Sequence, residues 1–423
     1  MAVREIFGIE CICGCAMRAP NERQLYICQT YLVTNIRGAV LSLFGDGDQE
    51  MDIYEILGVK KYINAHDTYT VYGGSRMAPN TLEAMAGAAQ HFVDIAELQR
   101  VLGDGLARMT HNDAAYITNG ASGGILLAAV VCMTGGDMYK YSLLPDADSM
   151  KNEIIVMRCQ RNAYDKALAA SGARVVEIGD ADETLEFELE GAINDRTAAV
   201  FYFASSLYKK ASLPLEKVIA IAKRSNVPVV VDAAAQLPPV ENLWKYTGMG
   251  ADMVLFSGGK SLCGPQASGL ILGSREMIGD CRKFGAPAHG ICRSCKVGRE
   301  EMAGLYTAVE NYLALDHARN TERLEGIVRQ ILLVMQNTGA FRTKLLECGP
   351  VGQTYPRALG IITANFKAEA LAAMMREHNP GIYIGVDKEN EKAVYISPLN
   401  LNDSEVGIVA SALEESVRKL KVG

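Results

Sequence analysis

The sequence has few of the features on which membrane and nucleic-acid-binding proteins depend. Its longest stretch without charged or strongly polar residues lies around Ile125–Met133, far short of the roughly 20 apolar residues that a membrane-spanning helix needs. Its 42 Lys and Arg residues are outnumbered by 49 Asp and Glu residues, which gives a net charge of −7. A protein that neutralises a phosphate backbone needs clustered basic residues instead. We therefore expect neither a membrane nor tRNA as a partner.

The sequence also lacks the paired cysteines of a secreted disulfide framework. Its 11 cysteines are an odd number in a chain of 423 residues, which favours a reducing, cytoplasmic location. Glu5 and Glu10 interrupt the apolar N-terminal stretch, so no secretory signal is predicted. The alternating spacing of Cys11, Cys13 and Cys15, with Cys28 further on, has no second paired half. This spacing is not typical of zinc sites, and we predict no metal site.

The first 50 residues form a separate segment in this interpretation. Met51 begins the stretch Met-Asp-Ile-Tyr-Glu-Ile-Leu-Gly, which resembles a natural protein start. We therefore expect residues 1–50 to be a poorly organised, dispensable extension. A chain that begins at Met51 and fails to fold would contradict this expectation.

Apolar residues are abundant, and they occur in short segments of alternating type. Hydrophobic residues make up 49% of the chain and charged residues 22%, which allows a large core and excludes global disorder. The strand candidates are Ala114–Thr118, Glu153–Met157, Arg174–Ile178, Ala198–Phe203, Val227–Val231, Met253–Phe256 and Gly269–Leu272. Helix-like stretches lie between or before them, over Thr81–Arg108, Ile125–Met133, Ala163–Ser171 and Leu215–Arg224. This alternation predicts an α/β fold with a mostly parallel sheet flanked by helices.

The pattern changes at about residue 299. A long helical stretch over about Glu300–Gln336 comes first. Strand candidates follow near Gly360–Phe366, Ile382–Ile384 and Ala393–Ile396, and a last helix is predicted over Ser404–Leu420. We therefore predict a large domain over residues 51–299, and over residues 300–423 a long connecting helix with a smaller C-terminal α+β domain.

Asp232 and Lys260 are the strongest candidates for a catalytic pair. Asp232 ends the strand candidate at 227–231, and Lys260 comes just after the one at 253–256. Open α/β sheets bind ligands at these carboxyl ends of their strands. A lysine that forms a Schiff base and an aspartate that keeps a pyridine nitrogen protonated are the groups that pyridoxal phosphate requires. Taken singly, each residue is more often structural, Asp232 as a turn cap and Lys260 as a solvated lysine.

A glycine-rich turn supplies a candidate phosphate site. The stretch Thr118–Gly124 joins a strand to a buried helix, where free N–H groups and the Ser122 hydroxyl are suited to an anion. Ser257, three residues before Lys260, is placed for the same phosphate. The turn matches neither a mononucleotide P-loop nor a clean G-x-G-x-x-G motif.

These residues carry a family resemblance. The chain resembles the fold-type I pyridoxal phosphate enzymes, in the branch that contains selenocysteine synthase (L-seryl-tRNA selenium transferase) and D-glucosaminate-6-phosphate ammonia-lyase. The resemblance runs from about Met51 to the C-terminus, and Ser-Gly-x-Lys-x-x-x-Gly-Pro-Gln-Ala is its most specific segment. The matching stretches are Tyr62–His66, Val227–Ala235, Phe256–Gly269 and Lys296–Leu305.

The resemblance implies roles for individual residues. It implies Lys260 as the aldimine lysine, Asp232 as the partner of the pyridine nitrogen, and Ser122, Gly123 and Ser257 at the cofactor phosphate. It also implies a homodimer or a larger homo-oligomer. Two features depart from the family: the acidic, cysteine-rich residues 1–50 do not resemble a tRNA-contacting domain, and Arg161 stands about where the ammonia-lyase branch has a histidine. An arginine can stack on the cofactor ring through its guanidinium plane.

Other candidates rest on residue type and position alone. Arg357 precedes a strand candidate of the small domain and is a candidate for gripping a substrate carboxylate through two hydrogen bonds, with a surface arginine as the alternative. Cys292 and Cys295 form C-x-x-C without a second half, so zinc is not favoured and a redox role is the less favoured interpretation.

Five functions are compatible with these residues; one of them, aminotransfer, requires the amino group to remain on the cofactor, which nothing in the sequence favours. The favoured one is a pyridoxal phosphate lyase that performs α,β-elimination of the ammonia-lyase type on a small amino acid or amino-sugar acid. The same α-carbanion reprotonated on its other face gives a racemase. A selenium transferase acting on seryl-tRNA needs a basic surface, which the net charge of −7 disfavours. A non-catalytic module is disfavoured because both Asp232 and Lys260 are present.

Overall fold

The computed structural model describes residues 52–422. The predicted N-terminal extension and its cysteines lie outside the described residues. The chain divides into two compact units, Met1–Lys61 and Tyr62–Gly423. In the described part of the first unit, helix α1 (Ile53–Ile56) begins with a capping box between Asp52 and Glu55. Lys61 forms ion pairs with both of these carboxylates, at 2.8 and 2.5 Å.

The second unit holds twelve strands within the described residues. They are β1 (Tyr62–Ala65), β2 (Ala114–Thr118), β3 (Glu153–Met157), β4 (Arg174–Ile178), β5 (Thr197–Phe203), β6 (Val229–Asp232), β7 (Met253–Ser257), β8 (Gly269–Gly273), β9 (Phe341–Leu346), β10 (Arg357–Ile362), β11 (Gly381–Val386) and β12 (Ala393–Ile396). Seven of them form one sheet in the order β2-β8-β7-β6-β5-β3-β4, and five form another in the order β1-β11-β12-β10-β9.

The seven-stranded sheet is the large, mostly parallel sheet that the sequence predicts. The pairs among β3 to β7 are parallel, and only β8 runs antiparallel, to β2 and β7. Strands β2, β3 and β8 are buried at every position, as expected for a sheet covered on both faces. Two apolar clusters pack on the sheet, one including Val231 and Phe256 and the other including Val230 and Leu255.

Thirteen α-helices follow α1 in the described chain. They are α2 (Pro79–Ala89), α3 (Ile95–Met109), α4 (Ala121–Thr134), α5 (Met138–Leu143), α6 (Lys166–Ala170), α7 (Glu186–Ala192), α8 (Leu215–Arg224), α9 (Asn242–Met249), α10 (Arg275–Phe284), α11 (Arg299–Ala314), α12 (His317–Asn337), α13 (Ala368–Glu377) and α14 (Asp403–Val422). Within residues 52–422, none of these helices is long and apolar enough to cross a lipid bilayer.

The five-stranded sheet contains two strands that the sequence analysis did not predict, β1 and β9. Strand β1 pairs in parallel with β11, with Tyr62 opposite Gly381, so residues 62–65 belong to the smaller sheet although the sequence pattern assigned them to the large domain. Four residues are too short to reveal their partner, because pairing between strands distant in sequence is set by tertiary packing. The third apolar cluster, which includes Ile63 and Ile382, lies in this part of the chain.

The predicted long connecting helix is interrupted. Helix α11 ends at Ala314 and α12 begins at His317. The Asp316 carboxylate accepts the Arg319 N–H at 3.0 Å and caps the second helix, which is the usual role of Asp at a helix start. The helical stretch at 81–108 is likewise divided by a second cap, Asp94, which accepts the Glu97 N–H at 2.9 Å.

Candidate active site

The large sheet brings Asp232 and Lys260 to the same edge. Asp232 is the last residue of β6 and lies opposite Leu255 of the neighbouring parallel strand β7. Lys260 follows the end of β7 by three residues. One Asp232 carboxylate oxygen accepts the Ala234 backbone N–H at 2.9 Å, which holds the side chain in place beyond the strand.

Burial and mutual attraction set the protonation of this pair. Burial raises the pKa of the Asp232 carboxyl, while the Ala234 N–H and the Lys260 ammonium oppose that rise. Burial lowers the pKa of Lys260, while the charges of Asp232 and Asp67 oppose that fall. Each group therefore feels the charge of the other, as expected of two side chains that face one cleft. A lysine with a lowered pKa has a larger neutral, nucleophilic fraction at neutral pH.

The loop that carries Lys260 is held by hydrogen bonds to its backbone. The Gly259 carbonyl accepts the Ser75 hydroxyl at 2.9 Å and the Gln266 side-chain amide at 2.6 Å. The Gly258 N–H donates to the Ser268 carbonyl at 2.9 Å. A Cβ on Gly259 would lie 2.3 Å from the Gln266 amide nitrogen, so glycine permits this close approach. The loop is thus fixed directly before the lysine.

The start of α4 forms an open anion site, here called the phosphate cup and made of Gly120, Ala121, Ser122 and Gly123. Gly120 precedes the helix with a φ of 138°, and no side chain caps the helix start. The first backbone N–H to find an acceptor is that of Gly124, which donates to the Gly120 carbonyl at 3.0 Å. Among the described residues, the three N–H groups before it have no acceptor. Free N–H groups at a helix start are a ready-made phosphate site.

Ser257 lies beside the phosphate cup through the order of the strands. Gly269 of β8 pairs with Thr118 of β2 on one side and with Ser257 of β7 on the other. A Cβ on Gly269 would lie 2.5 Å from the Gly120 carbonyl carbon, so this strand touches the cup. Within the described chain, neither the Ser122 hydroxyl nor the Ser257 hydroxyl has a hydrogen-bond partner. A cavity of about 500 Å³ opens at Ser122 and Gly123.

Arg161 is held by carboxylates. Its guanidinium donates to both oxygens of Asp165, one of them at 3.3 Å, and it also bonds with Glu177. Asp165 is buried, with 2% of its surface exposed. These ion pairs fix the plane of the guanidinium, and stacking of Arg161 on a cofactor ring stays a prediction.

Arg357 lies near three residues that the sequence analysis missed, Asp67, Tyr69 and Tyr355. Arg357 begins β10, donates to the Cys348 carbonyl at 3.0 Å and lies 5.3 Å from the centre of the Tyr395 ring. Its charge lowers the pKa values of Tyr69 and Tyr355, although burial, the larger cause, raises both. Asp67 raises the pKa of the same two phenols and of Lys260. The charge of Asp67 therefore acts on Lys260 and on both tyrosines.

Tyr355 carries an unpartnered phenol. Its side chain is 1% exposed, and its hydroxyl has no hydrogen-bond partner among the described residues. A buried hydroxyl without a partner is costly, which points to a ligand group that completes it. Asp67 directly follows the family-like stretch Tyr62–His66, and Tyr355 is two residues before Arg357. These positions were the only sequence signals for the two residues.

The residues present fit pyridoxal phosphate. They supply an anion site with free N–H groups, a buried carboxyl that can hold a proton on a ring nitrogen, and a lysine of lowered pKa at the neighbouring strand end. The unpartnered hydroxyls of Ser122 and Ser257 add donors for the phosphate.

Comparisons with known proteins show the family of the chain. A family model described as L-seryl-tRNA selenium transferase matches residues 164–345. The D-glucosaminate-6-phosphate ammonia lyase of Salmonella typhimurium is 31% identical over 372 residues, which cover 86% of this chain and 97% of that protein. The chain belongs to the family of this ammonia lyase.

Two further comparisons extend the result across most of the chain. A solved structure of D-glucosaminate-6-phosphate ammonia-lyase has a TM-score of 0.77 and 30% identity, and it covers 88% of this chain and 99% of its own. A 5'-C-glycyluridine monooxygenase-decarboxylase from Streptomyces sp. is 31% identical over 371 residues, or 86% of this chain and 91% of that protein.

Family membership confirms four predictions from the sequence. The chain is an enzyme, it has the fold of the fold-type I pyridoxal phosphate enzymes, its cofactor is pyridoxal phosphate, and it is of the ammonia-lyase type within the family. The roles of individual residues, the domain bounds and the substrate stay predictions.

Proposed function

We propose that this enzyme performs α,β-elimination on a small amino acid or amino-sugar acid and releases ammonia and a keto acid. The observation that carries the proposal is the placement of Asp232 and Lys260 at the ends of neighbouring strands β6 and β7, each within the electric field of the other. The ammonia lyase from Salmonella supports the reaction type.

In this proposal the cofactor is held at three points. Asp232, whose carboxylate accepts the Ala234 N–H, would hold a proton on the ring nitrogen. Ser122, Gly123 and Ser257 would bind the phosphate, and Arg161 would lie against the ring. Lys260 would be the amine that holds the cofactor aldehyde. When bound, pyridoxal phosphate supplies the ring that takes up the electron pair left on the substrate α-carbon.

Lys260 then moves the proton. With substrate bound, its neutral amine would remove the α-proton from the substrate. Burial favours the neutral amine that this step needs. The Ser75 and Gln266 hydrogen bonds to Gly259 hold the loop, so the amine stays within reach of the α-carbon.

Three further residues take part in this proposal: Arg357, Tyr355 and Asp67. Arg357 binds the substrate carboxylate from the small-domain side. A leaving hydroxyl on the β-carbon needs a proton, and the buried Tyr355 hydroxyl is the proposed donor. The charge of Asp67 raises the pKa of Lys260 and so favours its ammonium form after the α-proton has been taken up.

The test is an activity screen of the enzyme loaded with pyridoxal phosphate. Hydroxy-amino acids and amino-sugar acids, with and without a phosphate group, are incubated with the enzyme, and ammonia and keto acid are measured. We expect equal amounts of the two products from at least one substrate, and none from the Lys260→Ala variant. Absence of both products with every compound would contradict the proposal.

Three alternative activities are distinguished by further measurements on the same loaded enzyme. Loss of optical activity without ammonia would indicate a racemase. Oxygen uptake with release of CO₂ would indicate chemistry such as the name of the Streptomyces relative describes. Selenium transfer to seryl-tRNA would indicate the activity named by the family model. Of these, the net charge of −7 speaks against the tRNA substrate.

The proposal includes the setting of the enzyme. We expect a homodimer or a larger homo-oligomer in the cytoplasm, with the small-molecule substrate as its partner. The seven cysteines that the structure describes are all free, which accords with a reducing compartment.

A further inference from the structure

Two cysteines lie against the phosphate cup, and the proposed reaction uses neither of them. Cys292 and Cys295 belong to a short 3₁₀ helix, Ile291–Cys295. Side chains three residues apart are eclipsed in such a helix, so the two thiols lie one above the other. Both are buried, with 0% and 2% of their surfaces exposed, and both are free thiols.

A chain of hydrogen bonds connects this cysteine pair to the cup. The two thiols influence each other, so that the pKa of Cys292 is raised and that of Cys295 is lowered. The Cys295 thiol donates to the Gly123 carbonyl, with the sulfur 3.3 Å from the oxygen. Next to it, the Asn119 side-chain amide donates to the Ser294 carbonyl at 2.9 Å. The 3₁₀ helix thus holds both sides of the turn into α4.

The other end of the 3₁₀ helix is anchored in the core. The Cys292 N–H donates to the Tyr141 hydroxyl at 3.3 Å, and that hydroxyl donates to the Phe284 carbonyl at 3.1 Å. The rings of Tyr141 and Phe284 stack with centroids 4.7 Å apart. The 3₁₀ helix is therefore held by the core at one end and touches the phosphate cup at the other.

We propose that Cys292 and Cys295 are a modification site, at which a two-electron oxidant such as hydrogen peroxide forms a disulfide that weakens binding of the cofactor phosphate. Cys295 lines the cavity of about 500 Å³ together with Ser122 and Gly123, which gives an oxidant a route to the thiol. A cofactor phosphate bound at Ser122 and Gly123 would block that route and protect the pair. The inference rests on the proposed placement of the phosphate at the cup and on nothing about the substrate.

Hydrogen peroxide accepts the two electrons that the formation of the disulfide releases. The Cys295 thiolate attacks one peroxide oxygen, the O–O bond breaks, and a sulfenic acid and hydroxide form. The Cys292 sulfur then attacks the Cys295 sulfur, the S–O bond breaks, and a disulfide forms. Two thiols are oxidised, one peroxide is reduced, and two water molecules leave. Both thiol hydrogens are lost, so the hydrogen bond from Cys295 to Gly123 can no longer exist.

The test compares the enzyme with and without pyridoxal phosphate, each treated with hydrogen peroxide and digested with trypsin without reductant. Trypsin cleaves after Arg293, between the two cysteines, so a disulfide leaves residues 284–293 joined to residues 294–296. We expect the joined peptides in the cofactor-free enzyme and much less of them in the loaded enzyme. The dissociation constant for pyridoxal phosphate should rise about fivefold on oxidation, the effect of one lost hydrogen bond, and return with dithiothreitol.

Matched variants separate the possible causes. Cys292→Ala keeps the Cys295 hydrogen bond to Gly123 and cannot form the disulfide, so it should give no joined peptides after peroxide. Cys263→Ser removes the exposed thiol near Lys260 and should respond like the wild type. Absence of joined peptides from the cofactor-free enzyme, or joined peptides with unchanged cofactor affinity, would overturn the inference. If Ser122→Ala also leaves cofactor affinity unchanged, the placement of the phosphate itself is at fault.

Discussion

Lys260 owes its proposed reactivity to its surroundings. Burial lowers its pKa from the ordinary value of 10.5, and Asp232 and Asp67 together prevent a larger fall. A single buried lysine with two acids at its side is what a proton-transferring amine needs at neutral pH. Sequence position alone indicated Lys260 and Asp232, because both follow apolar strands. Asp67 and Tyr355 were missed, because they reach the cleft from β1 and from the loop before β10, whose places in the small sheet depend on long-range pairing.

The first residue-scale prediction concerns pH. Cofactor capture requires the neutral Lys260 amine, and a lowered pKa places more of it in that form at a given pH. The rate of capture by the cofactor-free enzyme should therefore rise with pH and reach its midpoint below 10.5. The measurement is the visible absorbance of lysine-bound pyridoxal phosphate, followed by stopped flow across a pH series. A midpoint at or above 10.5 would contradict the assigned environment.

The second residue-scale prediction tests whether the charge of Asp67 raises the pKa of Lys260. Asp67→Asn removes a negative charge that raises the pKa of Lys260, so the midpoint of the same pH series should move further down. The exposed loop residue Asp182 supplies a control, since Asp182→Asn should leave the midpoint where it is. An upward shift in Asp67→Asn would show that the carboxylate does not face the lysine.

At the scale of elements, local patterns predicted the large sheet better than the small one. Strands β3, β4 and β12 and helix α8 have the predicted bounds, because each is an uninterrupted apolar or amphipathic run. Breaks within helical stretches were missed at Asp94 and Asp316, since a capping aspartate resembles an ordinary surface charge in sequence. The sequence analysis did not predict helices α5, α7, α9, α10 and α13. The strand candidate at 360–366 begins three residues after the start of β10 and ends four residues after its end.

The element-scale prediction concerns the contact between β8 and the phosphate cup. Gly269→Ala would place a Cβ 2.5 Å from the Gly120 carbonyl carbon, where backbone must move. We expect the free energy of unfolding to fall by about 1–3 kcal/mol and the dissociation constant for pyridoxal phosphate to rise. Denaturant unfolding and a cofactor titration measure the two effects.

A second glycine provides the matched control for that substitution. A Cβ on Gly279 of α10 has nothing within 4 Å. Gly279→Ala should stabilise the helix by about 0.5–1 kcal/mol and leave cofactor affinity unchanged. If Gly269→Ala behaves like Gly279→Ala, β8 does not shape the cup.

At the scale of the whole molecule, charge separates the proposed small-molecule enzyme from a tRNA-directed one. The net charge of −7 is unfavourable for a polyanionic partner, although the family model that matches residues 164–345 is named for a tRNA-dependent activity. We expect no salt-sensitive binding of seryl-tRNA in a gel-shift or fluorescence titration at low salt. Tight binding that weakens steeply as salt is added would contradict the expectation.

The account depends most on one covalent link, between the amine of Lys260 and the cofactor that Asp232 and the cup also hold. The direct measurement is borohydride reduction of the enzyme loaded with pyridoxal phosphate, followed by digestion and mass spectrometry of the labelled peptide. The account predicts a single pyridoxyl group, on Lys260, with the label lost in Lys260→Ala and cofactor affinity reduced in Asp232→Asn. A label on another lysine, or unchanged affinity in Asp232→Asn, would contradict it.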